Sequence, residues 1–350
     1  MPTAAKIDDI FKSCIKKNAS DVHLLTGKPP VFRIDGELFI QEKFPTLDAE
    51  LALELVFSVM SETQKKKFQE DREIDLSYDL QNLGRFRVNC YWERGNTAMA
   101  ARLIPSAIPT MEELMLPQSV YKLAELRQGL VLVTGPTGSG KSTTLAAMIN
   151  QINGERGANI ITLEDPIEFL HYSKKSIITQ RQLGNDMLSF PQSLKYIVRQ
   201  DPNVILVGEM RDLETIATTI SLAETGHLVL ATLHTLSTAQ TIDRIIDVFP
   251  PHQQNQVRLQ LSMSLRGIVA QQLLPRVGGG RIAAREVLVN TPAIANLIRE
   301  NKIPQIKTVL QTSLAEGMIT MDRAIKDLLA QNLITRDIAL SRASSKQMVE

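Results

Sequence analysis

The chain has 350 residues, of which 43% are hydrophobic and 22% charged, and its formal net charge is +1. That length accommodates two domains with full cores, and the near-neutral balance argues against a protein built mainly to neutralise phosphate backbones, which shows a strong basic excess. Its two cysteines, Cys14 and Cys90, cannot make a four-cysteine zinc site and read as reduced apolar residues of a cytosolic protein.

In chain order, "IDDIFKSCIKK" places Ile7, Ile10, Phe11, Cys14 and Ile15 at helical spacing. "SDVHLL" then alternates, with Val22 and Leu24 on one face and Asp21 and His23 on the other. "VFRIDGELFI" predicts two short strands about an Asp35-Gly36 turn. Residues 47–60 return to helical spacing, and "SETQKKKFQEDRE" reads as a charged, solvated stretch. "IDLSYDL", "GRFRVNCYWE" and "TAMAARLI" alternate as three more strands. "PSAIPTMEELMLPQ", with Pro105, Pro109 and Pro117, predicts an extended linker with little regular structure.

Beyond the prolines the pattern changes. "GLVLVTG", "NIITLED", "NVILVGE" and "HLVLATLH" are short continuous apolar runs followed by helical stretches, as in a parallel sheet buried on both faces. From about residue 250 the pattern reads as mostly helical. The expected organisation is an α+β domain over 1–104, a linker over 105–127 and a larger α/β nucleotide-binding domain over 128–350 with a helical C-terminal part.

"GPTGSGKST" fits the phosphate-loop pattern G-x-x-x-x-G-K-[ST] in full: Gly135, Pro136, Thr137, Gly138, Ser139, Gly140, Lys141, Ser142 and Thr143. Chance supplies this pattern roughly once in a hundred chains of this length, and here it follows an apolar strand and opens a helix. The glycines let backbone N–H groups curl around phosphates, and the helix N-terminus adds positive field. Lys141 would reach the outer phosphates and the Ser142 hydroxyl would ligate magnesium. The reading is a nucleoside triphosphate site with Mg2+, open to ATP or GTP because nothing in the motif reads the base.

Acidic residues end the other apolar runs. Glu164 and Asp165 close "IITLED", and Glu209 closes "VILVGE", at the strand ends where open parallel sheets bind ligands. An aspartate normally stands where this chain has Gly208. If these strands neighbour the phosphate-loop strand, Glu164 or Asp165 takes over the magnesium, through water where needed, and Glu209 polarises the attacking water.

His234 lies at the carboxyl end of its strand, placed to read the γ-phosphate. His227 lies at the other end, roughly 23 Å away in a straight strand, and is expected in an intersubunit, sensor or structural role. Arg85, Arg87, Arg94 and Arg102 crowd the last strands of the first domain. Arg85 and Arg87 share a face that can close over phosphates as a clamp or serve as a polar sheet face; Arg94 and Arg102 are candidate intersubunit or sensor residues.

Together these residues resemble the hexameric secretion ATPases, and among them the retraction motors of type IV pili. The resemblance runs from "ASDVHL" and "PPVFRIDGEL" through "GRFRVN" and "ARLIP" to four boxes. They are the Walker A loop "GPTGSGKSTT", the aspartate box "ITLEDPIEF", the atypical Walker B box "DPNVILVGEMRD" and the histidine box "TGHLVLATLHT". In that family Gly-Glu is the normal Walker B form. The resemblance implies a RecA-like P-loop ATPase domain preceded by a smaller α+β PAS-like domain. It also implies a homo-hexamer with nucleotide between the domains, and ATP hydrolysis powering pilus retraction and twitching motility.

The implied partners are an inner-membrane pilus platform protein and related pilus ATPases. The implied location is cytoplasmic, peripheral at the inner membrane. No stretch approaches about 18 apolar residues and the N-terminus lacks a secretory signal, so no transmembrane segment is expected. "PAIANLIREN" is similar to a C-terminal motif of retraction motors, matched at Ile294, Asn296, Leu297, Ile298, Arg299 and Glu300 and departing from it at Ala295. That departure leaves an accessory paralogue of the retraction motor open. A nucleic-acid translocase on the same fold needs a basic, aromatic-lined channel, against which stands an aromatic content of 5%.

Overall fold

The computed structural model describes residues 6–81, 83–104 and 107–345, so Pro105 of the expected linker lies outside the described residues. The chain forms two compact units, Met1–Ala107 and Ile108–Glu350.

The first unit contains α1 (Ile7–Lys16), β1 (Asp21–Leu24), β2 (Val31–Ile34), β3 (Glu37–Ile40), α2 (Ala49–Ser58), α3 (Glu62–Asp71), β4 (Glu73–Leu80), β5 (Gly84–Glu93) and β6 (Asn96–Ile104). The strands make one antiparallel sheet in the order β3-β2-β1-β6-β5-β4. Alternation sends Val22, Phe32, Phe86, Val88, Met99 and Ala101 into a core shared with the helices. There Phe11 stacks on Phe86 at 4.0 Å between ring centroids. The expected turn is present, with Asp35 and Gly36 both at positive φ.

The stretch expected to be solvated is helix α3. Ser61 and Gln64 form a reciprocal capping box, and the helix buries a single residue, Phe68. One aromatic anchor among nine polar residues leaves too faint a period to read from spacing.

The second unit contains α4 (Gln118–Glu125), β7 (Gly129–Thr134), α5 (Lys141–Glu155), β8 (Asn159–Glu164), β9 (Ile177–Gln182), α6 (Phe190–Ile197), β10 (Val204–Val207), α7 (Leu213–Glu224), β11 (Leu228–Leu233), α8 (Thr238–Asp247), α9 (Pro251–Ser264), β12 (Leu265–Pro275), β13 (Arg281–Val289), α10 (Pro292–Arg299), α11 (Ile306–Thr312), α12 (Met321–Ala330) and α13 (Arg336–Arg342). Its sheet runs β13-β12-β7-β11-β10-β8-β9, parallel throughout except for the antiparallel edge strand β13. Alternate residues of the four apolar runs enter cores on opposite faces. Leu130, Leu163, Val207 and Val229 pack toward α6–α10, and Val131, Ile160, Leu206 and Leu230 toward α4 and α5.

Two expectations change here. Part of the linker is ordered: α4 lies within it, and Met111, Leu116, Val120 and Leu123 are buried in the second unit's core. The region after residue 250, read as mostly helical, contains the long hairpin β12–β13. Its signal was Gly278-Gly279-Gly280 between two apolar runs, all three at positive φ in the turn.

Candidate nucleotide site

The phosphate loop joins β7 to α5, so its backbone N–H groups and the start of a fifteen-residue helix point the same way. Pro136, Thr137 and Gly138 are exposed, whereas Ser139 and Lys141 are buried. The Lys141 ammonium donates to the carbonyls of Gly135 (2.9 Å) and Pro136 (3.1 Å). Burial pulls this lysine below its ordinary range, opposed by the charges of Glu209 and Glu168. Ser142 sits half-buried in the first turn of α5.

The loop is braced from the neighbouring strand β12. Buried Gln271 donates to the Ser139 carbonyl (2.8 Å) and accepts from the Thr144 hydroxyl (3.0 Å). Gly135 has φ +142, and a Cβ there would lie 2.2 Å from the Gln271 carbonyl oxygen, so only glycine fits between loop and strand. Gln271 was not among the expected site residues; it lies far along the chain, and the strand holding it was itself not foreseen.

The strand order corrects the expected arrangement of carboxylates. Convergence of Glu164, Asp165 and Glu209 on the phosphates was conditional on their strands lying beside β7, and that condition is not met, because β7 pairs with β12 and β11. Glu209 follows β10, two strands from β7, and Glu164 ends β8, three strands away. At about 4.8 Å per strand those are separations of roughly 10 and 14 Å across the sheet.

Glu164 is moreover committed. Its Oε1 accepts from the Thr162 hydroxyl (2.6 Å) and Gln180 Nε2 (3.0 Å). Burial raises its carboxyl above the ordinary range, although these bonds and one from the Glu168 backbone oppose the rise. It shapes the turn after β8 and is a poor candidate for the metal. Asp165, the next residue, keeps an accessible carboxylate.

Glu209 is held from two sides. His234, just past the end of β11, places Nε2 3.1 Å from Glu209 Oε1, and Arg211 places Nη2 2.8 Å from Oε2. Arg211 also reaches Asp165, with Nη1 3.7 Å from Oδ2. Burial works to raise the Glu209 carboxyl, but the Arg211 hydrogen bond and charge, with His234 adding to both, hold it below the usual carboxylate range. Arg211 was missed in sequence, where its signal is a position two residues beyond Glu209.

Gly208 has a packing reason. Its N–H donates to the Leu163 carbonyl (2.8 Å), and its own carbonyl accepts from the Thr232 hydroxyl. A Cβ there would stand 3.0 Å from that Leu163 oxygen and 3.3 Å from Glu164 Cα. An aspartate side chain there would crowd the backbone of β8.

His227 precedes β11 at the end opposite His234; its Nδ1 donates to the Leu222 carbonyl (3.0 Å) and lies 3.3 Å from the Thr225 hydroxyl, closing the end of α7. In the first unit, Arg85 bonds Ser77 (2.7 Å) and pairs with Asp79 (3.5 Å). Arg102 pairs with Asp21 (2.7 Å) and Arg94 with Glu93 (3.2 Å). Arg87 is exposed, opposite Ser77 and Arg102 in the sheet. In α10, Ile294 and Ile298 are buried, Leu297 packs against the core, and Asn296, Arg299 and Glu300 are exposed.

Beside the loop lies a cavity of about 390 Å³, lined by Ser139, Thr143, Leu273, Arg276, Arg281 and Arg285 among others. Burial brings Arg285 down to about 10, and among the described residues its Nε has no hydrogen-bond partner. No group of three or more His, Cys, Asp or Glu among the described residues forms a metal cage. No described helix is long and apolar enough to cross a membrane.

Residues 1–279 match the family model described as type II/IV secretion system protein. The chain is 45% identical over 337 residues to the type IV pilus retractation ATPase PilT of Pseudomonas aeruginosa, covering 96% of this chain and 98% of that one. It is 42% identical over 341 residues to the type IV pilus ATPase PilU of the same organism, covering 97% and 89%. It is also similar to a crystal structure of the pilus retraction motor PilT with bound ADP. The TM-score is 0.92 at 47% identity, with 98% of each chain covered.

Proposed function

The chain belongs to the type II/IV secretion system protein family, and from that premise we propose that it is an ATPase motor that powers type IV pilus retraction and twitching motility. The observation that carries this reading is the joint presence of a complete phosphate loop and a glutamate held by His234 and Arg211 beyond the end of β10, two strands away in the same sheet. The names of its relatives support the direction of work.

In this reading the loop N–H groups and Lys141 hold the ATP phosphates, and the cavity walled by Leu273 and Arg285 takes the nucleoside. Magnesium, which typically keeps several of its own waters, would take the Ser142 hydroxyl directly and Asp165, three strands from β7, only through water. When bound, the ion neutralises charge on the outer phosphates. Glu209 accepts a hydrogen bond from the attacking water, and ionisation below the usual range keeps it ready to do so. His234 holds that carboxylate and reads the γ-phosphate. Arg85 and Arg87 of the first unit supply the clamp, and His227, Arg94 and Arg102 act between subunits of a homo-hexamer.

The ring works in the cytoplasm against an inner-membrane platform protein, and exposed Arg299 and its neighbours in α10 serve that contact. Ala295, where the retraction motif carries arginine, favours a second reading as an accessory retraction ATPase. Deleting the gene tests both. Abundant pili that never retract support the motor, while retraction lost only under load supports the accessory role. Unchanged retraction and twitching would overturn both.

A further inference from the structure

We infer that Arg211 is a positioning residue for hydrolysis, fixing the Glu209 carboxylate and tying it to Asp165 at the adjacent strand end. The inference rests on the proposed role of Glu209 as the water-orienting carboxylate.

The local sequence forces this placement. Strand β10 ends at Val207, whose partner on β8 is Leu163, so Glu209 and Asp165 both emerge just beyond the same paired strand ends. The segment "GEMRD" is pinned between its neighbours. Gly208 donates to the Leu163 carbonyl (2.8 Å) and Met210 to the Thr232 carbonyl (3.2 Å). Met210 is buried in the core. Asp212 caps α7, accepting from the Thr215 N–H (2.9 Å) and hydroxyl (2.7 Å). With Met210 directed inward, the residues on either side, Glu209 and Arg211, are presented together on the outer side. The backbone of neither residue can turn without breaking one of these bonds or the cap.

Glu209 then has two anchors. His234 Nε2 lies 3.1 Å from Oε1 and Arg211 Nη2 2.8 Å from Oε2. Two anchors on two oxygens define the plane of a carboxylate, which one anchor cannot. Each oxygen keeps a second lone pair, so the anchors leave room for a water. Arg211 spends its remaining reach on Asp165 at 3.7 Å. The guanidinium therefore sets the position of the Walker B glutamate relative to the aspartate box, two elements that share no side-chain bond of their own among the described residues. A fork-shaped cation can span two carboxylates in this way, whereas a lysine offers one compact charge.

Most of the Arg211 side chain is exposed, 64% by relative area, so replacing it leaves the core intact. The test compares Arg211→Gln, Arg211→Lys, Glu209→Gln and the Glu209→Gln/Arg211→Gln pair in the assembled full chain. Steady-state phosphate release, equilibrium binding of a fluorescent ADP and the thermal midpoint are read for each.

The expected result is a fall of roughly tenfold or more in kcat for Arg211→Gln. ADP affinity should stay within about twofold and KM should move little, the mark of an interaction made in the reacting complex. Arg211→Lys should recover part of the lost kcat, and the paired variant should be no slower than Glu209→Gln alone.

Hydrolysis retained by Glu209→Gln would sink the proposed role of Glu209 itself. With Glu209→Gln inactive, two outcomes each overturn the role of Arg211. These are a kcat for Arg211→Gln within about threefold of the parent chain, and a loss of kcat matched by equal losses in ADP affinity and thermal midpoint.

Discussion

Glu209 Oε1 and His234 Nε2 stand 3.1 Å apart, joining the residue just past β10 to the residue just past β11. These strands are neighbours in the sheet, so the contact needs only the one or two residues that follow each strand. A carboxylate placed by strand ends is held more firmly than one on a loop, and orientation matters for a group that must direct a water. Glu209→Gln preserves the shape and one acceptor while removing the charge. It should bind ATP with near-parental affinity yet cleave it about 10²–10⁴-fold more slowly. Removing only one anchor, His234→Ala should fall between this variant and the parent. Single-turnover phosphate release alongside ATP binding decides it, and normal turnover by Glu209→Gln would remove that residue from the water-orienting role.

Gly208 yields a prediction about stability as well as chemistry. The Leu163 oxygen that a Cβ would crowd at 3.0 Å is already the acceptor for the Gly208 N–H, so strand β8 cannot yield without straining that bond. Gly208→Asp restores the residue usual in other nucleotide hydrolases, but it should lower stability by about 1–3 kcal/mol through overpacking and bring no gain in turnover. Denaturation midpoints and ATPase rates measure both. A variant as stable as the parent would show that the strand ends have slack the geometry denies.

How much of this was legible beforehand follows from what each feature depends on. The phosphate loop depends on local backbone freedom, so Gly135, Gly140 and Lys141 announce it in nine consecutive residues. The four apolar runs announce strands buried on both faces. Their lateral order depends on crossovers that no run encodes, so nothing in "NIITLED" says that Glu164 ends three strands from β7. Nor does an acidic letter say whether its carboxylate is spent, as that of Glu164 is on Thr162 and Gln180. Gln271 and Arg211 were silent for a related reason: their partners, Ser139, Glu209 and Asp165, meet them through strand pairing or side-chain direction, not through a motif.

His171 predicts a pH dependence of stability. It sits half-buried in the loop after β8, where its backbone N–H donates to Gln180 Oε1 (2.8 Å). Burial, with the charge of Lys174 adding, lowers it from 6.5 to about 4. A lowered histidine means that the unfolded chain binds more protons than the folded one between those values. Stability is therefore fully present above pH 6.5 and lost as pH falls toward 4. The linkage amounts to about 2 kcal/mol by roughly pH 5. His171→Gln cannot titrate, so its stability should fall less than the parent's between about pH 7.5 and pH 5, by that same amount. Urea midpoints at the two pH values check it, and parallel losses in parent and variant would place His171 in water.

Helix α10 and its capping residue Glu300 combine a buried apolar face with an exposed polar one. Ile294 and Ile298 are fully buried in the main core of the second unit, whereas Asn296, Arg299 and Glu300 are exposed and bond one another. The helix is also moored at its end, where Arg258 of α9 donates to the Asn301 side chain (3.2 Å). The apolar half of the motif therefore needs no partner to explain it, and the polar half is not explained by the fold. Ile298→Ala should cost about 2–5 kcal/mol and depress hydrolysis through lost structure. Arg299→Ala removes no core contact, so its melting point and ATPase rate should stay near the parent's while pilus retraction fails. Cells carrying each variant, scored for twitching and paired with ATPase assays of the purified protein, distinguish the two. Normal retraction with Arg299→Ala would confine residues 292–301 to packing, and a collapse of its ATPase would mean that the exposed arginine serves the catalytic unit and not a partner.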